Sequence, residues 1–115
     1  MNTAHKTDKE KQEHFDSPDI LDQKINQLAE WIKASKHFVV FTGAGISTSA
    51  GIKDFRSGVN TVLPTGPGVW EKAATKTTAK PKVAVNMASA IPTPCHMALV
   101  KLQQAGYLKY LISQN

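Results

Sequence analysis

Cysteine is what this chain has least of: Cys95 is the only one. A single thiol forms no intrachain disulfide, and it excludes a zinc site built from several cysteines of these 115 residues. Without a disulfide framework the chain reads as a protein of a reducing compartment. No apolar run approaches the roughly 18–20 residues that span a bilayer, so no membrane partner is expected. The opening MNTAHKTDKEKQEHFDS lacks the apolar stretch of a secretory signal. The chain therefore reads as soluble and intracellular. Aromatics are few, at 7%, and the excess of Lys and Arg over acids (14 − 9 = +5) forms no basic stripe interleaved with them. That charge suits acidic partners such as phosphates and disfavours direct nucleic-acid recognition.

What is present is enough for one small domain. Residues 1–16 are polar and read as a mobile tail. Ser17-Pro18-Asp19 opens a helix, with Ser17 as cap and Pro18 at the first position. Leu21, Ile25, Leu28 and Ile32 then form one apolar stripe, flanked by a partly buried Trp31. His37 to Thr42 is β-rich without polar alternation, as in a parallel strand covered on both faces. Gly43-Ala44-Gly45 makes a turn, and Ile46 to Ala50 a short helix ended by Gly51. Residues 57–82 read as a long, partly mobile connection, and Val83 to Ala90 as a short helix. Thr93-Pro94 opens a further helix that Gly106 stops, and Tyr107 to Ile112 is a second strand. This order predicts an α/β fold: the N-terminal part of a doubly wound, Rossmann-like parallel sheet, incomplete.

The glycine turn FVVFTGAGISTSAGIKDFR carries the chemistry. A strand running into G-x-G and a helix start offers backbone N–H groups and a helix dipole to a phosphate. The common dinucleotide fingerprint is G-x-G-x-x-G/A with an acid about 20 residues on. Here Thr48 holds the third glycine's place, and Leu63 lies where the acid belongs. A conventional dehydrogenase is disfavoured. A P-loop fails too, because five residues separate Gly45 from Gly51 and no Gly-Lys-Ser/Thr follows. A purely structural turn is the bland alternative.

The continuation separates these readings. Gly43-Ala44-Gly45-Ile46-Ser47-Thr48 and Gly51-Ile52-Lys53-Asp54-Phe55-Arg56 resemble the sirtuin signature GAGIS…GIPDFR. Thr93-Pro94-Cys95-His96-Met97-Ala98-Leu99 resembles that family's PTxxHxAL helix start, and Ser113-Gln114-Asn115 its (S/T)QN. Gly68-Val69-Trp70 is similar to the GVW of the nuclear, chromatin-associated branch. Together these blocks cover about residues 18–115.

The resemblance implies an NAD-dependent protein-lysine deacetylase or deacylase, a transferase that releases nicotinamide and forms O-acyl-ADP-ribose. Alternatives are protein ADP-ribosyl transfer by the same family, or a non-catalytic NAD-binding or interaction fragment. It further implies that Gly43, Ala44, Gly45 and Thr48 line the phosphate and ribose region, and that Arg56 answers the pyrophosphate. Phe55 covers the nicotinamide ribose, and Ser47, Ile52, Asp54 and Asn115 border the nicotinamide pocket. Gln114 bonds the ribose and Trp70 walls the cofactor. Bland alternatives are a surface cation for Arg56, ordinary core for Phe55 and loop packing for Trp70. His96 reads as a packing and capping residue, and Cys95 as a small, partly buried thiol. The implied partner is an acylated-lysine protein, histones among the candidates, and the implied location the nucleus, with the cytoplasm as alternative.

Two departures stand out. Lys53 replaces the family's Pro and frees the loop, and the stretch from Arg56 to Trp70 looks several residues longer than in the nuclear branch. No catalytic residue is expected within the chain, since the family's histidine falls beyond Asn115 and His5, His14 and His37 sit outside its motif. The zinc module and second nucleotide-binding half are likewise expected only in a full-length parent. The expectation is a partial NAD-binding domain over 17–115, inactive and marginally stable alone, with a sheet edge uncovered.

Overall fold

The computed structural model describes residues 7–76, 78 and 87–115. Its helices are α1 (Asp8–Lys11), α2 (Pro18–Ala34), α3 (Val69–Thr75) and α4 (Pro94–Gln104). Two strands, β1 (Phe38–Thr42) and β2 (Leu108–Ser113), pair in parallel, and 3₁₀ turns span Ala44–Ala50 and Met87–Ser89. The fold is α/β, as the alternation of periodicities predicts.

The β-branched and aromatic run Phe38–Thr42 makes a strand because such side chains suit a pleated surface. Its partner is registered Val39 to Tyr110, Val40 to Leu111, Phe41 to Ile112 and Thr42 to Ser113, after an irregularity between Phe38 and Val39. The Gln114 N–H donates to the Thr42 carbonyl at 3.1 Å, so the ladder continues past the last strand residue. Parallel pairing puts the C-terminal ends of both strands at the same sheet edge. There Gly43 and Gln114 meet.

Helix α4 is bounded at both ends by local chemistry. Thr93 and His96 form a reciprocal cap: the Thr93 hydroxyl accepts from the His96 N–H, and His96 Nδ1 accepts from the Thr93 N–H. His96 is thus the capping residue its place suggested. At the other end Gly106 takes a left-handed φ of 79°. The Tyr107 N–H reaches the Leu102 carbonyl and the Gly106 N–H the Gln103 carbonyl, both at 3.0 Å, a Schellman closure. Thr93 does more than cap. Its hydroxyl donates to the Ile46 carbonyl at 2.8 Å, which ties α4 to the turn after β1.

Several expectations need correction. Val39 and Phe41 are 41% and 66% exposed, so β1 is only partly covered on that face. The α2 stripe is periodic as expected, yet Leu21, Ile25 and Leu28 remain exposed and Trp31 is 63% exposed instead of half-buried. Ser17 makes no side-chain cap; the first turn closes instead through its carbonyl, which accepts from the Leu21 N–H at 2.9 Å. The connection read over 57–82 contains α3. Cys95, in the first turn of α4, is exposed and not partly buried. Of the helix expected over 83–90, residues 83–86 lie outside the described residues and Met87–Ser89 form the second 3₁₀ turn; residues 77 and 79–82 of the connection and 1–6 of the tail also lie outside them. Among the described residues Leu108 is the one large aliphatic side chain that is buried.

With so little apolar burial, capping contacts weigh heavily in stability. Thr93→Ala removes the cap and the bond to Ile46, and is expected to cost about 1–2 kcal/mol in urea unfolding. Thr93→Ser should keep most of that. An unchanged midpoint for Thr93→Ala would contradict this account.

Candidate functional site

Beyond the C-terminal ends of the two strands lies an open cleft of about 440 Å³, lined by Gly43, Ala44, Gly45, Asp54, Phe55, Arg56, Trp70, Gln114 and Asn115. This is where ligands bind in open parallel sheets. The structure thus brings together nine of the twelve residues singled out from the sequence.

One side of the cleft is the turn after β1. A Cβ on Gly43 would come within 2.7 Å of the Gln114 amide nitrogen, so glycine lets the Gln114 side chain lie across the turn. Gly45 differs. A Cβ there would meet nothing within 4 Å, and its backbone is not in the left-handed region. Neither packing nor conformation asks for glycine at this place on the cleft wall; a closely approaching ligand would. The first amides of the 3₁₀ turn begin here, where a helical turn leaves N–H groups without internal partners. Gly51, with φ 85°, closes the turn, its N–H donating to the Thr48 carbonyl at 3.0 Å.

The opposite side is built by the loop Asp54-Phe55-Arg56 docking on the start of α3. Three backbone bonds join them. The N–H groups of Gly68, Val69 and Trp70 donate to the carbonyls of Ser57, Asp54 and Phe55 at 2.8, 3.1 and 2.9 Å. These use the orphan amides of a helix N-terminus. A Cβ on Gly68 would fall under 3.0 Å from the Phe55 carbonyl carbon and the Arg56 nitrogen, so this approach requires glycine. The docking stacks side chains. The Phe55 and Trp70 rings lie 4.9 Å apart at 38°, and the Arg56 guanidinium carbon sits 5.3 Å from the Trp70 ring centroid. Such contacts contribute about 0.5–1.5 kcal/mol each. Phe55 is 47% exposed and Trp70 37%. Neither is ordinary core, and Trp70 belongs to a helix, not a loop. The Asp54 carboxylate accepts from the Ser57 N–H at 3.3 Å and from its hydroxyl, which shapes the loop.

Ser47, Thr48 and Ile52 are not on the lining. The Thr48 hydroxyl, expected as a donor to a ligand, is buried and donates to the Gly45 carbonyl at 3.0 Å. It supports the turn from behind. The Ile52 N–H donates to the Ser47 carbonyl at 3.3 Å, so both serve the exit from the same turn. Gly68 was not singled out as a site residue from the sequence. Its signal was a glycine directly before a helix start, the position of closest backbone approach. No group of His, Cys, Asp and Glu among the described residues is arranged to hold a metal ion, and no described helix is long and apolar enough to cross a membrane.

Gly68→Ala should therefore push the Asp54–Arg56 loop off α3. The expected result is about 1–3 kcal/mol of destabilisation with loss of the near-ultraviolet dichroism of the stacked Trp70. Retention of that signal would contradict the close approach.

Known proteins carry the same pattern. A family model, described as the Sir2 family, matches residues 43–115. The chain is similar to NAD-dependent protein deacetylase SRT1 of Oryza sativa subsp. indica, 50% identical over 105 residues, covering 90% of this chain and 20% of that protein. It is also similar to NAD-dependent protein deacetylase Sirt6 of Drosophila melanogaster, 48% identical over 107 residues, 90% of this chain and 29% of the other. NAD-dependent protein deacetylase sirtuin-7 of Mus musculus is 35% identical over 106 residues, 90% of this chain and 23% of the other. The chain thus spans between a fifth and three tenths of the length of these relatives. The match to the family covers the glycine turn, the docked loop, the capped helix and the Gln114-Asn115 end of the ladder together, and the chain belongs to the Sir2 family.

Proposed function

We propose that this chain supplies the NAD-facing part of a protein deacetylase. The observation that carries the reading is Gly45, a glycine that the fold does not need, on the wall of a cleft faced by a cation and two aromatic rings. The residues fit the cofactor's chemistry. Arg56 is a fixed positive charge for a pyrophosphate, and the amides of Ala44 and Gly45 add donors at a helical start. The Phe55 and Trp70 rings exclude water from the ribose side. The carboxamides of Gln114 and Asn115 supply both donors and acceptors for ribose hydroxyls and a nicotinamide amide. Asp54, held by Ser57, borders the nicotinamide side. Bound NAD would supply the ADP-ribosyl group that accepts the acetyl group, so that NAD, acetyl-lysine and one water would give nicotinamide, lysine and O-acetyl-ADP-ribose.

Among the described residues no histidine lines the cleft, and His96 is engaged in the α4 cap. Removing a ribose hydroxyl's proton needs a base within reach. These 115 residues are therefore expected to bind NAD without deacetylating a peptide, with the base and zinc module supplied by the rest of a complete relative. The substrate of such a complete protein would be an acetylated lysine in a protein, histones among the candidates. A nuclear location follows from the likeness of Gly68-Val69-Trp70 to that branch, with the cytoplasm as the alternative. ADP-ribosyl transfer to protein would use the same cleft, and mass spectrometry of the complete protein's products separates the two reactions.

Gly45→Ala provides the sharp test. Its Cβ enters open space, so the folded state should be unharmed or up to about 1 kcal/mol more stable. In calorimetry NAD affinity should fall about tenfold or more, since the methyl occupies the ligand's path. Equal affinity in wild type and Gly45→Ala, or no NAD binding by wild type, would overturn the reading.

A further inference from the structure

Within the polar N-terminal segment, Glu13 makes two long-range bonds. One carboxylate oxygen accepts from the Thr61 hydroxyl and the other from the Val62 N–H, the latter at 3.3 Å. Both residues lie in the turn that links the Asp54–Arg56 loop to α3. That turn is internally bonded: Thr61 N–H to the Gly58 carbonyl at 3.1 Å, and Leu63 N–H to the Thr61 hydroxyl at 3.2 Å. Between the N-terminal segment and the loop runs a second, smaller cleft of about 300 Å³, lined in part by Glu13, Asp54, Arg56 and Ser57. Asp54 and Arg56 therefore form the partition between this cleft and the larger one. Upstream, Thr7 and Glu10 cap α1 reciprocally, which gives the segment leading to Glu13 a defined shape.

We propose that Glu13 is a positioning residue: it latches the N-terminal segment onto the Thr61–Val62 turn and so holds the Asp54–Arg56 partition in the geometry that faces the cofactor, a role resting on the NAD-binding reading above. Closing a long connection costs chain entropy, and in the 57–68 segment the buried residues Thr65, Pro67 and Gly68 sit at the α3 end while Val62 at the Glu13 contact is exposed. A carboxylate that takes one hydroxyl and one amide from adjacent residues fixes that segment's orientation. The order is passed along the backbone to Gly68, Val69 and Trp70, whose amides bond the other side of the partition.

The test combines hydrogen exchange with cofactor titration on the whole chain, comparing Glu13→Ala, Thr61→Val and the pair. Asp16→Asn, which loosens only the exposed Asp16–Lys24 ion pair, serves as control. Glu13→Ala is expected to speed exchange at Val62 about five- to tenfold, and at Gly68 to Trp70 by a smaller factor. It should also weaken NAD binding about threefold through the loosened partition. Thr61→Val should give part of the same effect, with little added in the pair, and Asp16→Asn none. Unchanged exchange at Val62 would overturn the latch. Faster exchange at Val62 alone, with Gly68 to Trp70 and NAD affinity untouched, would overturn the positioning role. If wild type binds no NAD, the cofactor reading falls, while exchange at Gly68 to Trp70 still decides whether Glu13 orders the partition.

Discussion

The cleft depends on how closely the backbone at Gly68 lies against the Phe55–Arg56 peptide. No side chain fits in that space. Because it is glycine, the start of α3 can hand three amides to the carbonyls of Asp54, Phe55 and Ser57. Those bonds satisfy donors that a helix start otherwise leaves to water. They also set Phe55 and Arg56 against the Trp70 ring, which turns a loop of mixed polarity into a shaped wall. The wall faces the glycine turn because β1 and β2 run in parallel and end together. A parallel ladder, two glycines with different reasons and one helix start are sufficient to make the cleft.

Little apolar surface is buried among the described residues. Leu108 alone among the large aliphatic side chains described is buried, and the apolar faces of α2, β1 and β2 stay largely open. Hydrophobic burial, ordinarily the dominant favourable contribution, is thus small here. Local order rests on backbone and capping bonds: the Thr93–His96 cap, the Thr93 bond to Ile46, the Schellman closure at Gly106 and the Gly68 docking. Each is worth about 1 kcal/mol, and none replaces a core.

What was legible in the sequence was what local chemistry decides. Thr93-Pro94 and Gly106 bounded α4 correctly, and the β-rich runs became paired strands. Most of the residues resembling the sirtuin signature line one cleft: the turn and loop follow β1 directly, and the parallel ladder brings Gln114 and Asn115 to the same end, while Ser47, Thr48 and Ile52 stay off the lining. The errors share a cause. Periodicity reports which face of an element is apolar, not whether anything covers it, so Trp31 and the far face of β1 were misjudged. Thr48 was read as a ligand donor because a hydroxyl's direction is not written in its identity; here it turns back to Gly45. The docking at Gly68 joins distant residues through backbone groups, and the Glu13 carboxylate reaches Thr61 and Val62, 48 and 49 positions away; neither leaves a compositional trace.

The central claim is that a single cleft, walled by the Gly68 docking and open at Gly45, is the NAD site. Amide and indole resonances followed by NMR during NAD titration test it most directly. The account predicts saturable shifts confined to residues 43–45, 54–56, Trp70 and residues 114–115, with Trp31 unmoved. Shifts centred on α2 or the exposed sheet face, with the Trp70 indole and residues 43–45 silent, would contradict it.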